Sequence, residues 1–247
     1  MKRLVFMAFA VVAYAIFLLT LLYLIAFLGD LPGVPRTINR PGQELPIAAA
    51  ILIDLALIAL FGVQHSLMAR PAFKRSWTTV VPPHVERSVY VLFASIALIV
   101  LYLFWQPLGG TIWNVRNPIG ADILWALFWL GWVTVLISTF LINHFELFGL
   151  QQVWFHARGR QEGPPEMREP FLYRFVRHPM MLGFFFALWA IPQMSMGHLL
   201  FAGGMSVYIL VALHYEERDL VGLFGKDYEN YRGRVGMLVP RFGRRSA

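Results

Sequence analysis

Apolar runs long enough to cross a bilayer alternate along this chain with shorter polar segments that carry most of its charge. Runs at about 4–28, 47–69, 89–106 and 119–142 each predict a helix that matches a hydrocarbon core of about 30 Å. Two further runs, 180–192 and 197–215, are broken at Gln193-Met194-Ser195-Met196-Gly197 and predict a helical hairpin. Its first arm, 179–194, rises only about 24 Å as a helix, so the hairpin either crosses fully or is re-entrant. Asp54 is the clear exception to the rule that charge sits at the ends of the runs.

Composition agrees with this pattern. The 247 residues are 58% hydrophobic and 14% charged, far more apolar than an ordinary soluble domain. The first run is too long for the apolar part of a signal peptide, and no small-residue cleavage site follows it, so it is expected to stay as a membrane helix. Arg70, Lys74, Arg75 and Arg87 make the second connection basic, as Arg158, Arg160, Arg168, Arg174 and Arg177 do for the segment 143–178. Lys226, Arg232, Arg234, Arg241, Arg244 and Arg245 follow in the tail. The first connection is close to neutral, with Arg36 and Arg40 set against Asp30 and Glu44. A positive-inside bias therefore places both ends and the basic segments on the cytoplasmic side, which requires an even number of crossings.

The expected fold is an all-α polytopic membrane protein of about six membrane helices with a small cytoplasmic cap. Residues 1–247 are expected to form a single membrane domain, without internal repeats. Trp105, Trp113 and Trp125 are placed where an outer aromatic belt would lie. The formal charge of +7 is explained by topology and does not call for a nucleic-acid partner; the partner it implies is the lipid bilayer. Absence of cysteine excludes disulfides, thiolate metal sites and cysteine nucleophiles. The His/Asp/Glu spacing suggests no metal site, and no phosphate-binding glycine loop is present.

The chemistry concentrates at Tyr173-Arg174-Phe175-Val176-Arg177-His178-Pro179-Met180-Met181-Leu182-Gly183 and at Glu216-Glu217-Arg218-Asp219. A hairpin of the predicted length returns Glu216 and Glu217 to the level of Pro179, so Arg177, His178 and both glutamates collect at one membrane face. Ionisable groups there cost several kcal/mol each if left unpartnered, and so bind one another or a polar ligand. The bland reading is interfacial anchoring, in which arginines snorkel and glutamates pair with them. Pro179 suits the first turn of a helix, where its missing N–H is no loss, and the amides after it can receive an anion.

The combination Arg177-His178-Pro179-x-x-x-Gly183, a hairpin, Glu216-Glu217-Arg218-x-Leu220-x-x-x-Phe224-Gly225-x-x-Tyr228-x-x-Tyr231 and a closing Val239-Pro240 resembles a membrane methyltransferase superfamily. Its members include isoprenylcysteine carboxyl methyltransferase and the phospholipid N-methyltransferases. The resemblance is densest over 170–242, read as a cofactor-binding hairpin and C-terminal cap. One departure is Met181, where the isoprenylcysteine enzymes usually carry tyrosine. Asn143-His144-Phe145-Glu146-Leu147-Phe148-Gly149-Leu150 and Gln64-His65-Ser66-Leu67-Met68-Ala69-Arg70 extend the resemblance over nearly the whole chain, toward members that methylate a small volatile thiol.

That resemblance implies S-adenosylmethionine as methyl donor, with cofactor contacts at His178, Pro179, Gly183, Glu216 and Glu217. The chemistry of the donor adds candidates. Arg177 and helix-start amides suit its carboxylate; Tyr173 and Tyr228, with Phe175 and Tyr231, could cover the adenine or face the sulfonium. The implied acceptor is a small volatile thiol reaching a site near the cytoplasmic face of a bacterial inner membrane. Two alternatives stay open: a lipid or prenylated thiol or carboxyl acceptor, and a non-enzymatic transporter or sensor.

A thiol acceptor needs its proton removed, and the candidate bases are His144, His65 and Glu146. His144 is preferred, because it directly follows the fourth apolar run and is closest in sequence to the cofactor segment. The bland alternatives are an interfacial cap for His65 and pairing with loop arginines for His144 and Glu146. Trp125, Phe128, Trp129 and Trp132 have helical spacing and either line a thiol cavity or face lipid and packing partners.

Overall fold

The computed structural model describes residues 2–42, 44–160 and 163–241; Arg244 and Arg245 of the basic tail, and residue 242 of the 170–242 segment, lie outside the described residues. Its helices in chain order are α1 (Lys2–Leu28), α2 (Ile47–Ala69), α3 (Pro71–Trp77), α4 (Pro83–Phe104), α5 (Pro118–Ile142), α6 (His144–Leu147), α7 (Leu150–Arg158), α8 (Pro179–Trp189), α9 (Met196–Phe224) and α10 (Lys226–Arg234). Two short strands, β1 (Thr111–Asn114) and β2 (Gln193–Ser195), pair antiparallel. Five helices, α1, α2, α4, α5 and α9, are long and apolar enough to cross a membrane. The chain is thus an all-α polytopic membrane protein, as its hydropathy pattern predicts. The expected fifth crossing, α8, has 11 residues and rises about 16 Å, well short of the 30 Å core.

Two compact units divide the chain. The first holds residues up to Asn114, Phe145–Gly163 and Gln193–Gly204; the second holds Val115–His144, Pro164–Pro192 and the chain from Met205 on. Helix α9 begins in the first and continues in the second.

In the first unit α4 packs against both α1 and α2, and α7 lies against α1. Phe27, Trp105 and Phe201 form its aromatic centre, and the indole N–H of Trp105 donates to the Ile38 carbonyl at 3.2 Å. Trp105 is therefore a core residue and not part of an aromatic belt, because its ring packs on Phe27 and Phe201 and its N–H is taken up inside the protein. Asp54, fully buried in α2, accepts from the amide of Gln106 at 2.8 Å and so secures the chain just beyond α4. The connection after α1 is tied by Asp30, whose carboxylate accepts from Thr37, Asn39 and Arg40.

The second unit is built on α5 and α8. Gly131 and Gly183 let the two backbones touch: a Cβ on Gly183 would stand 2.6 Å from the Gly131 carbonyl oxygen, and one on Gly131 2.6 Å from that of Gly183. Gly183 thus has a packing reason to be glycine. The aromatic stripe on α5 divides, with Phe128 and Trp132 buried and Trp129 facing outward. Trp132 meets Phe184 of α8 edge-on at 5.8 Å. Gly225 adopts a positive φ of 57° between α9 and α10, which turns the chain so that Tyr228 and Tyr231 pack with Val235, Leu220 and Phe224.

Candidate functional site

Arg177 and His178 lie immediately before α8, and Glu217 lies on α9 after the hairpin has returned. The guanidinium donates to Glu217 Oε1 from Nε at 2.7 Å and from Nη2 at 2.6 Å. His178 Nε2 is 3.2 Å from the same oxygen. All three are almost wholly buried, the side chains of Arg177 and Glu217 being 6% and 12% exposed. The remaining guanidinium nitrogen, Nη1, donates to the carbonyls of Arg232 and Val235. Every nitrogen of Arg177 is therefore engaged, as a buried cation requires.

The tail completes this clasp through its backbone. Val176 bridges Gly236 in parallel, and the amides of Arg177 and His178 donate to the carbonyls of Gly236 and Met237 at 2.8 and 3.1 Å. A Cβ on Gly236 would overlap the Val239 carbonyl, so the turn closing this strand needs glycine. Tyr231 donates to the Tyr173 carbonyl at 2.6 Å, and the Tyr173 hydroxyl reaches the Ser138 carbonyl on α5 at 3.5 Å.

Glu216, the neighbour of Glu217, is placed differently. It is half-buried and carries no ion pair among the described residues. Burial, followed by the Glu216 carboxylate, pushes the Tyr173 phenol well above its usual value. Burial, followed by Glu217, pushes the Tyr228 phenol up to about 12. Both phenols are thus neutral groups beside carboxylates. Pro179 is buried at the start of α8, and the first backbone bond after it runs from Leu182 N to His178 O, so the amides of Met180 and Met181 precede the helical ladder. Met181 is half-buried. Phe175 is 58% exposed and does not join this cluster. On α5, Ser138 Oγ and Trp132 Nε1 are buried without a hydrogen-bond partner among the described residues.

The three candidate bases fall in different surroundings. His144 follows α5 in the second unit, buried, its ring stacked on Phe140 with centroids 4.1 Å apart and its Nδ1 2.8 Å from Thr139 Oγ1. Burial lowers its pKa below the ordinary histidine value. His65 belongs to the first unit, stacked on Phe61, with the Tyr90 hydroxyl 2.9 Å from Nε2 and 3.1 Å from Nδ1. Arg87 lies over the Tyr90 ring and donates to the Leu147 carbonyl at 2.8 Å. Glu146 is exposed in the first unit, where its backbone carbonyl receives Gly149 N and Gln152 Nε2.

The structure therefore gathers Arg177, His178, Pro179, Glu216, Glu217, Tyr173 and Tyr228 in one unit, together with His144, while His65 and Glu146 belong to the other. Sequence reasoning missed Thr139, Phe140 and the tail carbonyls. Thr139 is one hydroxyl in an apolar run, and backbone acceptors have no residue type to read. A pocket of about 220 Å³ in the first unit, lined by Asn39, Pro107, Gly110, Thr111, Gln193 and Ser195 among others, holds none of the predicted site residues.

Fold and site together define a polytopic helical membrane protein with a buried Arg–His–carboxylate clasp at the mouth of its last hairpin. The chain belongs to the NnrU protein family, which matches residues 53–235. It is 52% identical over 240 residues to a methanethiol S-methyltransferase of Mycobacterium tuberculosis, covering 97% of this chain and 98% of that one. It is 48% identical over 213 residues to a methanethiol S-methyltransferase of Pseudomonas deceptionensis, covering 86% and 80% of the two chains. Nurim of Rattus norvegicus is 31% identical over 187 residues, 72% of this chain and 71% of its own. No solved structure matches the chain.

Proposed function

We propose that this chain is an S-adenosylmethionine-dependent methyltransferase that converts methanethiol to dimethyl sulfide in a bacterial inner membrane, with its site near the cytoplasmic face. The observation that carries the reading is near-full-length identity of about half to relatives bearing one enzyme name. The second unit supports it with a fitting donor set. Glu216 offers ribose hydroxyls or an ammonium group a carboxylate that is outside any ion pair among the described residues. Tyr173 and Tyr228 offer aromatic faces to an adenine or a sulfonium. The first-turn amides of α8 suit a carboxylate, and buried Ser138 Oγ and Trp132 Nε1 leave polar capacity for a ligand.

When bound, S-adenosylmethionine supplies a methyl group on a sulfonium sulfur, which departs as a neutral thioether with the electron pair of the broken bond. The chain's own groups hold and orient. Arg177 fixes Glu217 and the tail; Glu217 fixes the His178 ring; Tyr231 fixes Tyr173. His144 takes the thiol proton, since its lowered pKa keeps it neutral near pH 7. Tight positioning of thiol and methyl group supplies much of the acceleration.

The test is direct. Purified protein in lipid nanodiscs with methanethiol and S-adenosylmethionine should release dimethyl sulfide into the headspace, measured by gas chromatography. Turnover of a prenylated thiol or a lipid in place of methanethiol would overturn the acceptor assignment.

A further inference from the structure

A hydroxyl group holds one proton, and at Thr139 the geometry decides where that proton goes. Thr139 Oγ1 lies 2.7 Å from the Leu136 carbonyl oxygen and 2.8 Å from His144 Nδ1. A carbonyl cannot donate, and two oxygens at 2.7 Å without a proton between them repel. The hydroxyl proton is therefore directed to Leu136, which leaves Thr139 Oγ1 as an acceptor for the imidazole. Nδ1 must then carry the N–H, and in the neutral ring the lone pair lies on Nε2.

We infer that Thr139 is a positioning residue that holds His144 in its Nδ1–H tautomer, presenting Nε2 as the nitrogen that receives the thiol proton. Phe140 supports the same orientation, its ring lying within 4° of parallel to the imidazole. Thr139 is buried near the end of α5, and its partner Leu136 lies one turn back on the same helix, so the acceptor geometry is fixed by the helix itself. In the proton transfer the thiol S–H bond breaks, the proton bonds to the Nε2 lone pair, and the S–H electron pair stays on sulfur. The inference rests on the reading of His144 as the base.

The two claims can be tested apart. With ¹⁵N-histidine-labelled protein in detergent, the His144 resonances are assigned by their loss in His144→Gln, at a pH where the ring is neutral. The expected spectrum has Nδ1 protonated and Nε2 unprotonated. Thr139→Val, which keeps the shape and removes the acceptor, should shift this tautomer balance, and Thr139→Ser should restore it. In turnover assays Thr139→Val should lower kcat by about two- to tenfold, the worth of one ordinary hydrogen bond, with S-adenosylhomocysteine affinity unchanged and Thr139→Ser again close to the parent. A parent His144 protonated at Nε2 overturns the tautomer assignment without any variant having to fold. The expected spectra with undiminished kcat in Thr139→Val would instead sink His144 as base while leaving its tautomer as assigned.

Discussion

His144 in the second unit and His65 in the first meet the same kinds of partner, a ring to stack on and a hydroxyl to bond, yet the two are organised in opposite ways. At His144 the hydroxyl already has a duty to the Leu136 carbonyl, so it can only accept, and the imidazole is left with one tautomer. At His65 the Tyr90 hydroxyl stands close to both ring nitrogens, 3.1 Å from Nδ1 and 2.9 Å from Nε2. The arginines of the two units differ likewise. Arg177 shares a buried carboxylate with His178, whereas Arg87 lies on the Tyr90 face and bonds a backbone carbonyl. The lesson is that a residue's catalytic suitability is set by what its partner is already doing.

The largest expected effect separates the histidines directly. His144→Ala should reduce turnover by about 10²–10⁴, or about 3–5 kcal/mol of transition-state stabilisation, while S-adenosylhomocysteine binding measured by calorimetry stays near the parent's. The deficit should shrink at alkaline pH, where free thiolate replaces the base. In the parent, burial keeps His144 neutral below the ordinary value of about 6.5, so its activity should persist on the acid side of that pH. The same pH-rescued deficit in His65→Ala, and none in His144→Ala, would transfer the role to the first unit.

Next come the arginines. Arg177→Leu strands the Glu217 carboxylate in a buried site and should destabilise the protein by about 3–5 kcal/mol, read by thermal unfolding in detergent. Adding Glu217→Leu should recover part of that loss. Arg87→Leu removes a charged hydrogen bond to a carbonyl and should cost about 1.5–3 kcal/mol; an equal loss at both positions would erase the proposed contrast. A smaller effect is expected at Glu216. Glu216→Gln should weaken S-adenosylhomocysteine binding about tenfold with unfolding unchanged, whereas Glu217→Gln should act on stability first, because its oxygen holds Arg177 and His178. If calorimetry ranks them the other way, the two carboxylates have exchanged roles. Smallest of all, Tyr90→Phe should change stability by about 0.5–1.5 kcal/mol and leave turnover intact; a kcat loss there would bring His65 back as a catalytic candidate.

The membrane helices were legible because a long apolar run has few alternatives: the predicted 47–69 coincides with α2, and 119–142 differs from α5 by one residue at its start. The encounter of Arg177 and His178 with Glu217 was legible too, since hairpin lengths fix which residues return to one level. Other features depend on partners distant in the chain. Gln193–Ser195 is a strand only because Thr111–Asn114 lies beside it. Trp105 reads as interfacial until Ile38 is seen to receive its N–H. Glu216 and Glu217 are the same letter in adjacent positions, and only the direction in which each leaves α9 divides the carboxylate proposed to meet a ligand from the one that pairs with Arg177 and His178.

The tail's share in the clasp has a consequence for how the protein is made. A ribosome reaches Val235, Gly236 and Met237, whose carbonyls receive the Arg177 guanidinium and the amides of Arg177 and His178, only after it has passed Arg177 and Glu217. The clasp therefore closes only after the last membrane helix has been made. Released chains ending at residue 234 should therefore lack the S-adenosylhomocysteine binding that chains ending at residue 241 show, so that an interrupted synthesis leaves the clasp open.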